Sequence, residues 1–110
     1  MSNRTEIIAS LNDEARSAMG IASRLFLTQG IEAYNQKELS HICRAVQTFD
    51  NFTKDNDPYG EHDFGSLKFG TATIFWKIDY YNLTLDAGSE DPADPKITTR
   101  VLTIMLSSEY

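Results

Sequence analysis

The sequence predicts an α+β fold, with two helices packed on one face of an antiparallel sheet of about four strands, in the order α-β-α-β-β-β. Three observations carry this reading. Residues 71–81 alternate at period two, with Ala72, Ile74, Trp76, Ile78 and Tyr80 on one face and Thr73, Phe75, Lys77, Asp79 and Tyr81 on the other. Two upstream segments repeat apolar residues at spacings of three and four behind an Asn-x-x-Glu start. The last ten residues before Ser107 are rich in β-branched side chains.

The elements follow in order. A first helix is expected over residues 4–18, with Ile8, Leu11, Ala15 and Ala18 as its apolar stripe and Asn3 with Glu6 as its capping pair. Gly20 stands where a helix-ending glycine is wanted. Residues 24–28 read as a short strand, with Leu25 and Leu27 on one face and Phe26 on the other, and Gln29-Gly30 as a turn. The second helix runs from 36 to 48, capped by Asn35 and Glu38. It buries Leu39, Ile42, Cys43 and Val46 and leaves Lys37, His41 and Arg44 wet.

After an acidic loop over 50–63, residues 65–69 pair with 71–81 as an antiparallel hairpin around Gly70. A second acidic loop spans 82–96, kept irregular by Pro92 and Pro95. The strand 97–106 carries apolar residues on both faces and is therefore expected in the middle of the sheet. No repeat or boundary divides the 110 residues, so one domain over 1–110 is expected.

Composition narrows the function. An apolar fraction of 41% supports a packed core. The net charge is −6, and it is unevenly placed, with ten acids against five bases after residue 50. Such a surface disfavours direct contact with a nucleic-acid backbone and suits a basic protein groove. Cys43 is the only cysteine, which fits a reducing compartment. No apolar run approaches the ~18 residues of a membrane span, and the N-terminus lacks a signal-peptide core. A cytoplasmic location is expected, which makes the sequons at Asn51 and Asn82 chance matches.

The motifs argue against chemistry. Asp55-Asn56-Asp57-Pro58-Tyr59-Gly60 begins like a calcium loop, but Tyr59 occupies the fifth position and Ser66 the twelfth. Glu61-His62-Asp63 offers metal-ligating side chains, yet three consecutive residues rarely converge on one ion, and His41 lies on a wet helix face. Cys43 lies on a buried stripe, where a thiol is inert. There is no G-x-S-x-G, no phosphate-binding glycine loop and no C-x-x-C. The second face of the 71–81 strand carries Phe75 and Tyr81 beside Lys77 and Asp79. Either a loop covers it, or it is an apolar patch rimmed by charge, as protein-binding surfaces are.

The runs DNDPYGEHDFGS, FWKIDYY, GSEDPADP and TTRVLTIMLSSEY resemble an uncharacterised bacterial domain-of-unknown-function family found on plasmids and prophages, over residues 49–110 and more weakly elsewhere. The family brings no established catalytic residues. Some of its small phage-borne members look like anti-CRISPR proteins that inhibit type I surveillance complexes. The resemblance thus implies a non-enzymatic inhibitor without a cofactor or metal, acting in the host cytoplasm. Its acidic loops would occupy the basic nucleic-acid groove of a CRISPR effector subunit and compete with target DNA.

The expected partner surface is Asp55, Asp57, Glu61, Asp63, Glu90, Asp91 and Asp94, with Tyr59 as aromatic anchor. The alternatives are a small metal-dependent catalytic domain on Glu61, His62 and Asp63, or a plasmid or phage accessory protein with an unrelated protein partner.

Overall fold

Two asparagines set where the long helices begin. In the computed structural model, which describes residues 3–110, the Asn3 side chain accepts a hydrogen bond from the Glu6 N–H at 2.8 Å and opens helix α1, Arg4–Ser17. Strand β1 (Arg24–Leu27) and a short helix α2 (Gln29–Glu32) follow. Asn35 then opens helix α3 (Gln36–Gln47) with a reciprocal capping box. Its side chain accepts from the Glu38 N–H, and the Glu38 carboxylate accepts from the Asn35 N–H. Each pairing satisfies N–H groups that a helix start leaves without partners.

The remaining strands are β2 (Phe64–Phe69), β3 (Ala72–Tyr81) and β4 (Thr99–Leu106), and a single 3-10 turn follows at Ser107–Glu109. The four strands form one sheet in the order β1-β4-β3-β2. β2 and β3 make the expected hairpin, turning at Gly70 with φ of 60°. β4 lies in the interior of the sheet, as its two apolar faces require, antiparallel to β3.

Two expectations need correction. The sheet is mixed and not wholly antiparallel, because β1 runs parallel to β4 from Arg24↔Val101 to Leu27↔Ile104. β1 leads into helices and its partner lies near the other end of the sequence, so no hairpin dictates its direction. Gln29-Gly30 is also not a simple turn. It starts α2, a third helix, whose Ile31 is fully buried in the core.

The helices cover one face of the sheet. Ala15, Ile31, Ile42 and Val46 meet Ile74, Trp76, Ile78, Leu102 and Ile104 in one cluster. Leu39 and Cys43 are half-buried at its margin. The opposite face carries Phe75, which packs against Phe64 at 5.2 Å and Tyr110 at 5.6 Å between ring centroids. Phe75 and Tyr81 are both half-buried.

Trp76 is the largest fully buried side chain. Its ring meets Phe49 edge-on at 5.4 Å and lies over Gly65 on the neighbouring strand. A Cβ at Gly65 would collide with Trp76 Nε1, so only glycine leaves room for the indole. Trp76→Ala is expected to cost about 3–5 kcal/mol and Gly65→Ala about 1–3 kcal/mol, both read from urea denaturation midpoints. An unchanged midpoint for Gly65→Ala would show that the ring has another place to go.

Candidate functional site

The strand register brings both acidic loops to the same end of the sheet. Phe64 at the start of β2 pairs with Lys77, and Tyr81 at the end of β3 pairs with Thr99 at the start of β4. Residues 50–63 therefore enter the sheet beside the point where residues 82–98 leave and return.

A buried polar group joins these loops to α1. Asn12 is fully buried, although it lies among the apolar residues of its helix. Its amide donates to the Glu61 carbonyl at 3.0 Å and to the Tyr80 hydroxyl at 2.8 Å. Its carbonyl oxygen accepts from Arg100 Nε at 2.7 Å. The Tyr80 hydroxyl donates to Glu61 Oε1 at 3.0 Å, and Arg100 Nη2 donates to the Pro92 carbonyl. The first loop is thus held through Glu61 and the second through Pro92. Tyr80 must keep its proton to make this bond. Burial, with Asp63 and Glu61 nearby, pushes its ionisation far above the ordinary phenol value, outweighing the hydrogen bond from Asn12.

A second cluster adjoins the first. His62, in left-handed backbone with φ of 58°, stacks on Phe52 with ring centroids 3.9 Å apart. Its Nδ1 lies 2.9 Å from Asp13 Oδ1, and its backbone N–H is held by both Asp57 carboxylate oxygens. Arg16 is 5% exposed and makes an ion pair with Asp13 at 3.2 Å. Its guanidinium sits 5.4 Å from the Phe52 ring centre and 5.1 Å from that of Trp76. Burial lowers its pKa against the opposing pull of Asp13 and Asp50.

The eight expected partner-binding residues divide sharply. Asp55, Tyr59 and Glu90 are exposed, with Tyr59 at 82%. Asp57 is 8% exposed and is committed to the His62 N–H. Glu61 is bound to Tyr80. Asp91 pairs with Arg4 at 3.1 Å and accepts from the Ala93 N–H, and Asp94 accepts from the Lys96 N–H. Asp63 is half-buried, and its backbone carbonyl receives the Ile78 N–H.

The turn chemistry of the first loop falls to Asn56, which accepts from the Thr53 N–H at 2.7 Å and donates to the Asn51 carbonyl. Glu61 and His62 face different partners, Tyr80 and Asp13. Among the described residues, no group of three or more His, Cys, Asp and Glu side chains is arranged to hold a metal ion.

Asn12, Asp13, Arg16, Tyr80 and Arg100 are the residues here that sequence reasoning missed as a site. One signal was available. Asn12 and Arg16 fall on the helix face between Ile8 and Ala9, and a polar residue on an apolar face asks for a buried partner.

Asn12→Ala should destabilise the protein by about 2–4 kcal/mol in chemical denaturation, because it leaves the buried Arg100 Nε without its acceptor and takes hydrogen bonds from the Tyr80 hydroxyl and the Glu61 carbonyl. A loss within experimental error would show that water replaces the amide. Burial first, and then the charge of Glu61, raise the Asp63 pKa above its ordinary 3.8. The folded state therefore holds this proton more tightly than the unfolded chain. The stability linked to it is complete below pH 3.8 and is lost as pH rises through the folded value. Asp63→Asn is expected to be the more stable protein at neutral pH, with the gap closing in acid. A less stable Asp63→Asn at neutral pH would contradict the sign.

A family model described as "Protein of unknown function (DUF3768)" matches residues 27–109, from the end of β1 into the 3-10 turn. The match extends well upstream of the motif runs in residues 49–110. Neither the search of curated proteins nor that of solved structures returned a match. None of the described helices is long and apolar enough to cross a membrane. With a match across most of its length, the chain belongs to the DUF3768 family of proteins of unknown function.

Proposed function

We propose that this chain is a non-catalytic binding module whose acidic end docks on a basic protein surface. One observation carries the reading: two irregular acidic loops are gathered at one end of the sheet and tied to the core through Asn12. Loops fixed on a rigid scaffold hold their charges in a constant pattern, which lowers the ordering cost of binding.

The division among the acids refines which residues meet the partner. Asp55, Tyr59 and Glu90 are free to make contact, with Tyr59 as the aromatic anchor. Asp57, Glu61 and Asp91 shape the loops instead. The basic nucleic-acid groove of a type I CRISPR effector is a partner of this chemistry, and the protein would occupy it in place of target DNA as an anti-CRISPR-type inhibitor. Bacterial cytoplasm is the compartment this requires. Half-buried Cys43 fits it, since burial raises its pKa and keeps the thiol quiet.

The test is a competition assay with a purified type I effector complex and labelled target DNA. The unmodified protein should displace DNA, with an affinity that falls steeply as salt rises. The triple variant Asp55→Asn, Tyr59→Ala, Glu90→Gln should stay folded and bind at least ~10-fold more weakly, a loss of about 1.4 kcal/mol or more. Failure to displace DNA would remove the CRISPR partner. Salt-independent binding, equal in the variant, would remove the acidic end as the contact surface.

A further inference from the structure

One buried cation, Arg100, 5% exposed, is held without a direct ion pair among the described residues. Its hydrogen-bond acceptors are neutral: Asn12 Oδ1 on Nε and the Pro92 carbonyl on Nη2. The Tyr80 ring centre lies 5.2 Å from the guanidinium carbon. Burial lowers the Arg100 pKa, against the opposing pull of Tyr80 and Glu61. A guanidinium taken out of water without a carboxylate is costly unless something else supplies the negative charge.

Nη1 makes no hydrogen bond among the described residues, and it is not among the buried polar atoms sealed from solvent, unlike Nη1 of Arg16. Arg100 lines a pocket of about 310 Å³, with Leu11 and Glu14 of α1, Ala22, Pro95 and Thr98. This volume falls at the lower end of the range for small-molecule sites, roughly 300–1,000 Å³. The lining combines three kinds of group. Arg100 offers a cation at a buried wall. Glu14 brings an exposed carboxylate that makes no side-chain hydrogen bond or ion pair among the described residues. Leu11, Ala22 and Pro95 supply apolar surface.

A simple anion would satisfy Arg100 but face Glu14. A ligand that carries both a carboxylate and an ammonium satisfies both.

We infer that this pocket binds a free α-amino acid with a small apolar side chain, its carboxylate on Arg100 Nη1, its ammonium on Glu14 and its side chain against Leu11, Ala22 and Pro95. The lining includes none of Asp55, Tyr59 and Glu90, and the inference does not depend on the binding function proposed above. Occupation would place a negative charge against Arg100, the residue that holds the second loop through Pro92.

Isothermal titration of the full chain with L-valine tests this, with N-acetyl-valine and valinamide as probes lacking the ammonium and the carboxylate charge. Valine should bind in the millimolar range or tighter and raise the thermal midpoint, and each blocked probe should bind about tenfold more weakly or not at all. Glu14→Gln, an exposed change that leaves the fold intact, should weaken valine about fivefold without affecting N-acetyl-valine. Ala22→Phe, which fills the pocket, should abolish valine binding while circular dichroism stays native. No heat and no midpoint shift with valine would overturn the proposal. Equal binding of valine and N-acetyl-valine, unchanged by Glu14→Gln, would also overturn it and leave a plain anion site.

Discussion

Asn12 is a polar side chain in a place built for an apolar one, and the end of the molecule that carries the acidic loops depends on it. Its amide group meets β3, β4 and the first acidic loop at once, through Tyr80, Arg100 and the Glu61 carbonyl. An aliphatic residue there would pack well but would take one partner each from Arg100 Nε, the Tyr80 hydroxyl and the Glu61 carbonyl. With asparagine, each finds one. The donors and acceptors fit only in one arrangement, so the network specifies geometry as well as contributing stability.

This arrangement changes how the acidic character of the chain reads. From composition, the carboxylates after residue 50 form a negative surface. In the fold, several are committed to contacts that form the loops. Asp57 holds the His62 N–H, Glu61 receives the Tyr80 hydroxyl, and Asp91 receives the Ala93 N–H. A carboxylate that accepts backbone hydrogen bonds replaces regular structure where Pro58, Pro92 and Pro95 forbid it. The acids left outside are fewer, and their positions are fixed by those inside. A disordered acidic segment would present charge without pattern. Here Asp55, Tyr59 and Glu90 sit on loops whose bases are anchored to the sheet.

What could be read from the sequence follows from the range of the interaction that determines it. The β3 alternation, the Asn35–Glu38 capping box and the Gly70 hairpin are local, and each was legible. So was the interior position of β4, because Val101 and Met105 on one side and Leu102 and Ile104 on the other need cover. The parallel direction of β1 was not legible, since it depends on a partner strand far along the chain. α2 is only Gln29–Glu32, too short to show a period, and it is held by long-range contact. Gly30 N–H donates to Glu109, and Ile31 enters the core. The site was half legible. The loops were visible as acidic and irregular, but the fixing of their residues rests on long-range pairs such as Tyr80–Glu61 and Asp13–His62, which no local pattern announces.

Amide hydrogen exchange on the native protein and on Asn12→Ala tests the central claim most directly, that Asn12 ties both acidic loops to the sheet. The N–H groups of Asp57, His62, Ser89 and Asp94 lie in irregular segments, and each has an acceptor within its own loop or on β3. The account predicts protection at these sites in the native protein. It also predicts a joint loss in Asn12→Ala, in both loops together, while amides of the β3–β4 ladder stay slow. Fast exchange in the loops of the native protein, or a loss confined to one loop, would contradict it.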